Sequence, residues 1–316
     1  MSDCLRGKVA IVTGSGGGIG RGIAMAMAHE GAQVLVNDLG CNPMGEGENA
    51  HPADAVVAEI QATGGEATAN YESIAHVAGA QRLVEQAIDR YGRIDILVNN
   101  AGITRVNMLW DMSEEEWDTV IATNLKGTWA CIKAAAPHMI EQGSGRIINF
   151  SSDMALRGGT GVAPYSASKA GVLGLTITAG LELGVYGITV NAIWPGATSR
   201  FREAGAAWRG KYKLGMPASD KTRGEKRPPR TAMDPDDVAP IVVYLARDEA
   251  RDINAQVFRA SMGKLSRVAP IGAEQAVSKQ GRWTQSELSQ TVPQDLTSGL
   301  ENPAPKSDDP VWRWMV

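Results

Sequence analysis

The sequence predicts an α/β fold, a doubly wound parallel sheet of about seven strands with helices on both faces. Three observations carry that expectation. Short β-branched runs alternate with longer segments of helical character. Each run is apolar at nearly every position, as in strands buried on both faces. Glycine is in excess, at 36 of 316 residues, and 28 of these lie at or before Gly196, with seven between Gly7 and Gly22.

The elements follow in order. Residues 8–13 (KVAIVT) read as the first strand, a glycine cluster follows, and Ile19 to Glu30 reads as a helix stopped at Gly31. Residues 33–38 form a second buried strand, and a long loop leads to His51. Pro52 opens a helix to about Ala62, ended by Gly64-Gly65. A strand near 66–70, a helix near 76–90 and a strand at 94–98 come next. The pattern continues with a helix over 114–140, a strand at 146–151, a helix at 164–185 and a strand at 188–194. Asp234-Pro235 opens a helix to about Ala246, and Gln256-Val257-Phe258 reads as a last strand. The domain is expected to span 1–263, with 264–316 as a polar, proline-bearing C-terminal extension.

Composition excludes several classes. Apolar residues are 43% and charged residues 21%, ordinary for a globular chain and too apolar for a disordered one. The net charge of −4 gives no general attraction for nucleic acid or an anionic membrane. Cys4, Cys41 and Cys131 are odd in number and widely spaced, which fits a reducing compartment better than a disulfide framework or zinc knuckle. The histidines (His29, His51, His76, His138) have no ligand spacing, so no metal is expected. The strand-like run begins directly after Arg6-Gly7-Lys8, no apolar run approaches the ~20 residues of a membrane span, and a soluble, cytoplasmic protein is expected. One segment departs from the average: residues 200–230 hold ten Lys/Arg against three acids.

The chemistry is expected at two places. Thr13-Gly14-Ser15-Gly16-Gly17-Gly18-Ile19-Gly20 joins the first strand to the first helix. Glycine there lets backbone approach a pyrophosphate, and the helix start offers free N–H groups and partial positive charge. Asp38, 18 residues beyond Gly20, can accept the adenosine ribose hydroxyls and would repel a 2′-phosphate, which favours NAD over NADP. The second place is Tyr165-Ser166-Ala167-Ser168-Lys169. Tyr165 and Lys169 share a helix face at i and i+4, where an ammonium lowers a phenol pKa toward the range of a general acid/base. Ser151 and Ser152 end a buried strand at the same, ligand-facing edge.

These motifs make the chain resemble the short-chain dehydrogenase/reductase family over residues 7 to about 260. The TGxxxGxG pattern falls at 13–20, NNAG at Asn99-Asn100-Ala101-Gly102 and YxxxK at Tyr165 and Lys169. The resemblance places the family's serine, 13 residues before the tyrosine, on Ser152, its helix asparagine on Asn124 and its Pro-Gly on Pro195-Gly196. It implies a Rossmann-type fold and a dinucleotide held by Gly14, Ser15, Gly18, Ile19, Gly20, Asp38, Ser73, Ile74, Asn100, Ala101, Gly102, Tyr165, Lys169, Pro195, Gly196 and Thr198. It further implies that Tyr165 exchanges a proton with the substrate oxygen while hydride passes to or from the nicotinamide. Ser152 would orient that oxygen, Lys169 would hold the nicotinamide ribose and depress the Tyr165 pKa, and Asn124 would position a relay water.

Two departures, Tyr71-Glu72-Ser73-Ile74 at the third strand and Ala197-Thr198-Ser199 after Pro195-Gly196, narrow the resemblance. With the loop after Asp38 and the tail around Gly281-Arg282-Trp283-Thr284, they are similar to (3R)-hydroxyacyl-CoA dehydrogenase domains of peroxisomal multifunctional enzymes and their bacterial relatives. The implied substrate is a 3-hydroxyacyl-CoA, whose phosphates the mobile basic segment 200–230 would attract while Trp208 or Tyr212 stacks on adenine; a merely solvated loop is the alternative. A bulky steroid or aromatic alcohol is the rival substrate, with Met154, Leu156, Trp194 and Phe201 as candidate lining. A dinucleotide-binding regulator without turnover would be expected to lose Ser152, Tyr165 or Lys169, and all three are present. The helix at 164–185 is apolar nearly all round, which together with the family resemblance implies a homodimer or homotetramer.

Overall fold

The computed structural model describes residues 3–196, 234–261, 263–269 and 276–297. Strands β1 (Val9–Thr13), β2 (Gln33–Asn37), β3 (Glu66–Asn70), β4 (Ile96–Asn99), β5 (Gly145–Phe150), β6 (Ile188–Pro195), β7 (Val257–Ser261) and β8 (Lys264–Arg267) form one sheet in the order β3-β2-β1-β4-β5-β6-β7-β8. Pairing is parallel from β3 to β7. The order reverses at β1, where the chain steps out to β2 and β3 and returns to β4 on the other side. In such sheets the crevice at the carboxyl ends of the strands beside that reversal is where ligands bind.

Helices α1 (Gly18–His29), α2 (His51–Ala62) and α8 (Ala239–Ala246) cover one face, over Ala10, Val12, Val34, Val36, Val98 and Ile193. Helices α3 (Val77–Tyr91), α5 (Gly127–Gln142) and α7 (Ala163–Gly184) cover the other, over Val9, Ile11, Leu35, Leu97, Ile147 and Val190. Successive β1 residues thus feed opposite cores, which is why its run is apolar throughout. Each such aliphatic side chain contributes about 1.5–3 kcal/mol on burial. The elements start and stop where local chemistry requires: Ser113 and Glu116 form a capping box before α4 (Glu114–Ile121). Helices α3 and α5 end at Gly92 and Gly143, both left-handed.

Two expectations need correction. The helix expected over 114–140 is not α-helical throughout: α4 runs, with helical backbone at both junctions, through a π turn at Ala122–Lys126 into α5. The buried Asn124 side chain, bonded outside the helix, sits in that turn. The sheet also continues past residue 263, where the extension was expected to begin. The chain turns at Gly263 and adds β8, antiparallel to β7. Strand β8 is a four-residue edge bearing Lys264 and Arg267, with no apolar run for sequence to reveal. Separately, residues 276–297 belong to a second unit and carry helix α9 (Gln285–Thr291), capped by a Thr284–Glu287 box and an ion pair from Lys279 to Glu287 of 2.5 Å.

The strands end in polar residues that pair across the sheet. Asn37 donates to Asn70 Oδ1 (2.7 Å), Asn99 to Asn149 Oδ1 (2.9 Å) and Asn149 to Thr176 Oγ1 (3.0 Å). Asn149→Ala removes the acceptor of a buried amide. It is expected to lower stability by about 1–3 kcal/mol, read as a reduced urea midpoint. Leu265→Ala, on a side chain 55% exposed, is expected to stay within about 0.5 kcal/mol.

Candidate active site

The β1–α1 turn is built by close approach. Gly14 (φ 63°) lies so near the β4 loop that a Cβ would sit 2.7 Å from Ala101 Cα, and a Cβ on Gly20 would sit 2.3 Å from Gly14 O. Helix α1 begins after an extended Gly17 with no side-chain cap, so its first N–H groups face the crevice without a side-chain acceptor. Thr13 Oγ1 accepts from the N–H groups of Asn100 and Ala101, both at 3.1 Å, and Asn100 Nδ2 donates to the carbonyls of Thr13 and Gly14, both at 2.9 Å. The NNAG segment is therefore the clamp that holds the glycine turn. Ser15 turns inward, its hydroxyl donating to Val12 O at 2.7 Å and its N–H to Asn37 O at 3.0 Å. Asp38, at the end of β2, is buried and accepts from Gly16 N (2.8 Å) and Gly40 N (2.7 Å). A cradle that one methyl group would fill, an uncapped helix start and a carboxylate beside them suit the diphosphate and ribose of a dinucleotide.

Ile74 is buried against Gly127, and Ser73 is half-buried beside it, at the carboxyl side of β3. Ile19 packs on the core of the α1 face. Pro195 closes β6, and Gly196 N donates to Ala260 O at 2.7 Å. Thr198, Ser199, Phe201, Trp208, Tyr212 and the whole segment 200–230 lie outside the described residues.

The residues expected to serve as the acid/base group, Ser152, Tyr165 and Lys169, come together at the same edge. Lys169 is buried and donates from Nζ to Phe150 O at 2.7 Å, with Nζ 5.7 Å from the Tyr165 ring centre. A Cβ on Gly102 would meet Lys169 Nζ at 3.5 Å and Asn124 Oδ1 at 3.4 Å, so the β4 loop touches this group directly. Ser152 hydrogen-bonds the Tyr165 phenol. Burial pushes Lys169 down to about 8. The phenol departs from expectation: burial, opposed by the Ser152 hydrogen bond and reinforced by Asp153, pushes Tyr165 up to about 12. Lys169, whose ammonium donates to Phe150 O, is not among the groups that shift it.

Asn124 is a clamp. Its Oδ1 accepts from Ile103 N (2.9 Å), and its Nδ2 donates to Ile103 O (3.0 Å) and Ser168 Oγ (3.2 Å). These bonds tie the β4 loop to α7. Ser151 likewise turns away, donating to Lys169 O at 2.7 Å. Two features escaped the sequence reading. Asp153 adjoins the reacting pair, and the loop 39–50 reaches over β1 to the β4 loop. Thr104 N donates to Pro43 O at 3.0 Å, Arg105 pairs with Glu46 at 3.5 Å, and Gly45 rests on Ile103. The signal for Asp153 was its adjacency to Ser152; the loop's length alone gave no direction. Among the described residues, no group of three or more His, Cys, Asp or Glu is placed to hold a metal ion, and no helix is long and apolar enough to cross a membrane.

Gly20→Ala forces a methyl group against backbone at 2.3 Å. NADH affinity, followed by fluorescence titration, is expected to fall at least ~10-fold while the far-UV circular dichroism is retained.

The short chain dehydrogenase family model matches residues 8–204. A 3-oxoacyl-[acyl-carrier-protein] reductase of Staphylococcus epidermidis is 40% identical over 257 residues, covering 81% of this chain and 98% of that protein. The peroxisomal multifunctional enzyme type 2 of Mus musculus is 38% identical over 270 residues, covering 85% of this chain and 34% of that longer protein. The crystal structure of a short chain dehydrogenase from Mycobacterium avium superposes with a TM-score of 0.77 at 38% identity, covering 96% of this chain and 98% of that one. The chain belongs to the short-chain dehydrogenase/reductase family, oxidoreductases that act on CH–OH groups with a nicotinamide dinucleotide.

Proposed function

We propose that this chain is an NAD-dependent dehydrogenase/reductase interconverting a 3-hydroxyacyl thioester, of the coenzyme A type, and its 3-oxo form. The observation that carries the reading is the convergence of Ser152, Tyr165 and Lys169 beside Gly102, at the sheet edge where the glycine turn opens. The substrate class is supported by the names of the two acyl-handling relatives. NAD is supported by the Asp38 carboxylate, which lies against the turn at Gly16 and leaves no welcome for a 2′-phosphate.

In this reading the dinucleotide supplies or removes a hydride, and the chain's residues do the rest. The α1 start and Gly14–Gly20 hold the diphosphate, and Asp38 holds the adenosine ribose. Ser73 and Ile74 would flank adenine, and Asn100, Ala101, Gly102, Pro195 and Gly196 would line the path to the nicotinamide. Lys169 holds the second ribose. Tyr165 keeps its proton at neutral pH, the form that donates to a carbonyl oxygen in reduction; in oxidation it must first lose that proton to serve as base. Ser152 donates a hydrogen bond to the same oxygen. A second reading, a bulky hydrophobic alcohol, is favoured by Met154 and Leu156, which α6 (Met154–Arg157) exposes directly after Ser152. The enzyme is read as cytoplasmic.

A second copy of the chain is the proposed partner. Helix α7 buries one side on the sheet and exposes Ile177 (47%) and Leu181 (72%) on the other, with Val185 (80%) just past its end at the same four-residue spacing. Leu181→Glu is expected to shift the protein toward monomer in sedimentation velocity, where the wild type runs as a dimer or tetramer; a monomeric wild type would refute the assembly.

Turnover should be measured with NAD⁺, NADH and NADP(H) on 3-hydroxyacyl- and 3-oxoacyl-CoAs of several lengths, beside steroid and aromatic alcohols. Activity confined to the alcohols would replace the thioester reading. Tyr165→Phe is expected to lower kcat by at least ~10²-fold, and near-normal turnover would sink the mechanism.

A further inference from the structure

Ser152 carries one hydroxyl hydrogen and has three neighbours with a claim on it or its lone pairs. Met154 N donates to Ser152 Oγ at 3.2 Å, Asp153 Oδ1 lies 3.4 Å from Oγ, and the Tyr165 phenol is hydrogen-bonded to it. The amide can only donate, and a carboxylate can only accept. If the hydroxyl hydrogen turns to Asp153, it is withdrawn from the phenol oxygen, where it favours the phenolate, and the remaining lone pair of Oγ is free to receive the hydrogen of the phenol. The carboxylate is held in this position from behind, because Arg157 NH1 pairs with its other oxygen at 3.2 Å, one turn along α6.

We propose that Asp153 is a positioning residue for the Ser152–Tyr165 pair: it draws the serine hydrogen to itself and keeps negative charge beside the phenol, so the proton stays on Tyr165 until a substrate oxygen arrives. This rests on the acid/base reading of Tyr165 above. It adds a direction to that reading. A protonated phenol is ready to donate to a ketone, whereas oxidation of the alcohol needs the phenolate. Asp153 therefore biases the resting site toward reduction, and Arg157 moderates the bias.

Burial and Asp153 both act to raise the phenol, against the Ser152 hydrogen bond. The charge that shifts Tyr165 is Asp153, which pairs with Arg157, and Lys169 Nζ lies 5.7 Å from the Tyr165 ring centre. Lys126 and the α4 acids Glu114, Glu115, Glu116 and Asp118, on the elements that pack against α7, are not among the charges that shift it. The sign follows. Removing the carboxylate charge favours phenolate, so the pH at which oxidation switches on should fall.

The test is the pH profile of kcat/KM for oxidation of 3-hydroxybutyryl-CoA at saturating NAD⁺, paired with a substrate-free readout. That readout is the ¹³Cζ tyrosine shift of the protein against pH, with Tyr165 assigned by difference from Tyr165→Phe. Asp153→Asn is expected to lower the midpoint in both by about half a pH unit, the order expected of one partly solvated unit charge. Asp153→Glu, which keeps the charge, should return it toward wild type, and Arg157→Met should raise it. A midpoint unmoved in Asp153→Asn, with only kcat reduced, overturns the proposal, as does an equal shift in Asp153→Glu. Circular dichroism checks that each variant folds, and Arg157→Met gives the opposite-sign test should Asp153→Asn not fold. Because the ¹³C titration uses no substrate, it separates failure here from failure of the substrate reading, and Tyr165→Phe separately tests the acid/base reading.

Discussion

The arrangement of the site depends on one constraint: polar side chains buried at the carboxyl ends of the strands must find partners there. Asn37 pairs with Asn70, Asn99 with Asn149 and Asn149 with Thr176, and Thr13 Oγ1 binds the N–H groups of Asn100 and Ala101. Leaving such a group unpaired costs about 1–3 kcal/mol, and a one-residue slip would send every side chain of a strand to the opposite face. The registers Thr13↔Asn37↔Asn70 and Asn99↔Asn149 are thus specified chemically as well as by apolar packing. With register fixed, the glycine turn, the NNAG clamp and the serine loop emerge at one level of the sheet.

Desolvation then governs the chemistry. An isolated phenol and ammonium at i and i+4 would favour mutual charging, and that is the reading the sequence invites. In the fold both groups are withdrawn from water, and burial moves them toward their neutral forms, Lys169 to about 8 and Tyr165 to about 12. The Ser152 hydrogen bond is the countervailing effect that geometry supplies.

Much of the fold was legible because its signals are local. Unbroken apolar runs marked the parallel strands, and Gly31 and Gly64 marked where helices stop. The glycine excess pointed to the turn itself, where Gly14 and Gly20 leave no room for a side chain. What stayed hidden depends on contacts across the sheet. The π turn at Ala122–Lys126 reflects the grip of Asn124 on Ile103, 21 residues away, which no helical periodicity records. Strand β8 is short, polar and held only by its pairing with β7. The inward rotation of Ser15 and Ser151 is likewise decided by neighbouring carbonyls, so a serine at the right spacing is not yet a serine facing the ligand.

The loop 39–50 shows how far these contacts reach. Strand β1 lies between β2 and β4, so a loop leaving β2 and binding the β4 loop must pass over the end of β1 and the turn it carries. From Asp38 the polar contacts run through Gly40, and those of the loop reach Thr104 from Pro43. Beside Thr104, Ile103 is held by Asn124, Asn124 by Ser168, and Ser168 Oγ donates to Tyr165 O at 2.8 Å. The carboxylate at one end of the crevice and the tyrosine at the other are therefore placed relative to each other by hydrogen bonds that cross the sheet as well as by the sheet itself. A ligand spanning the two meets positions already set, and less of its binding free energy goes into ordering the protein.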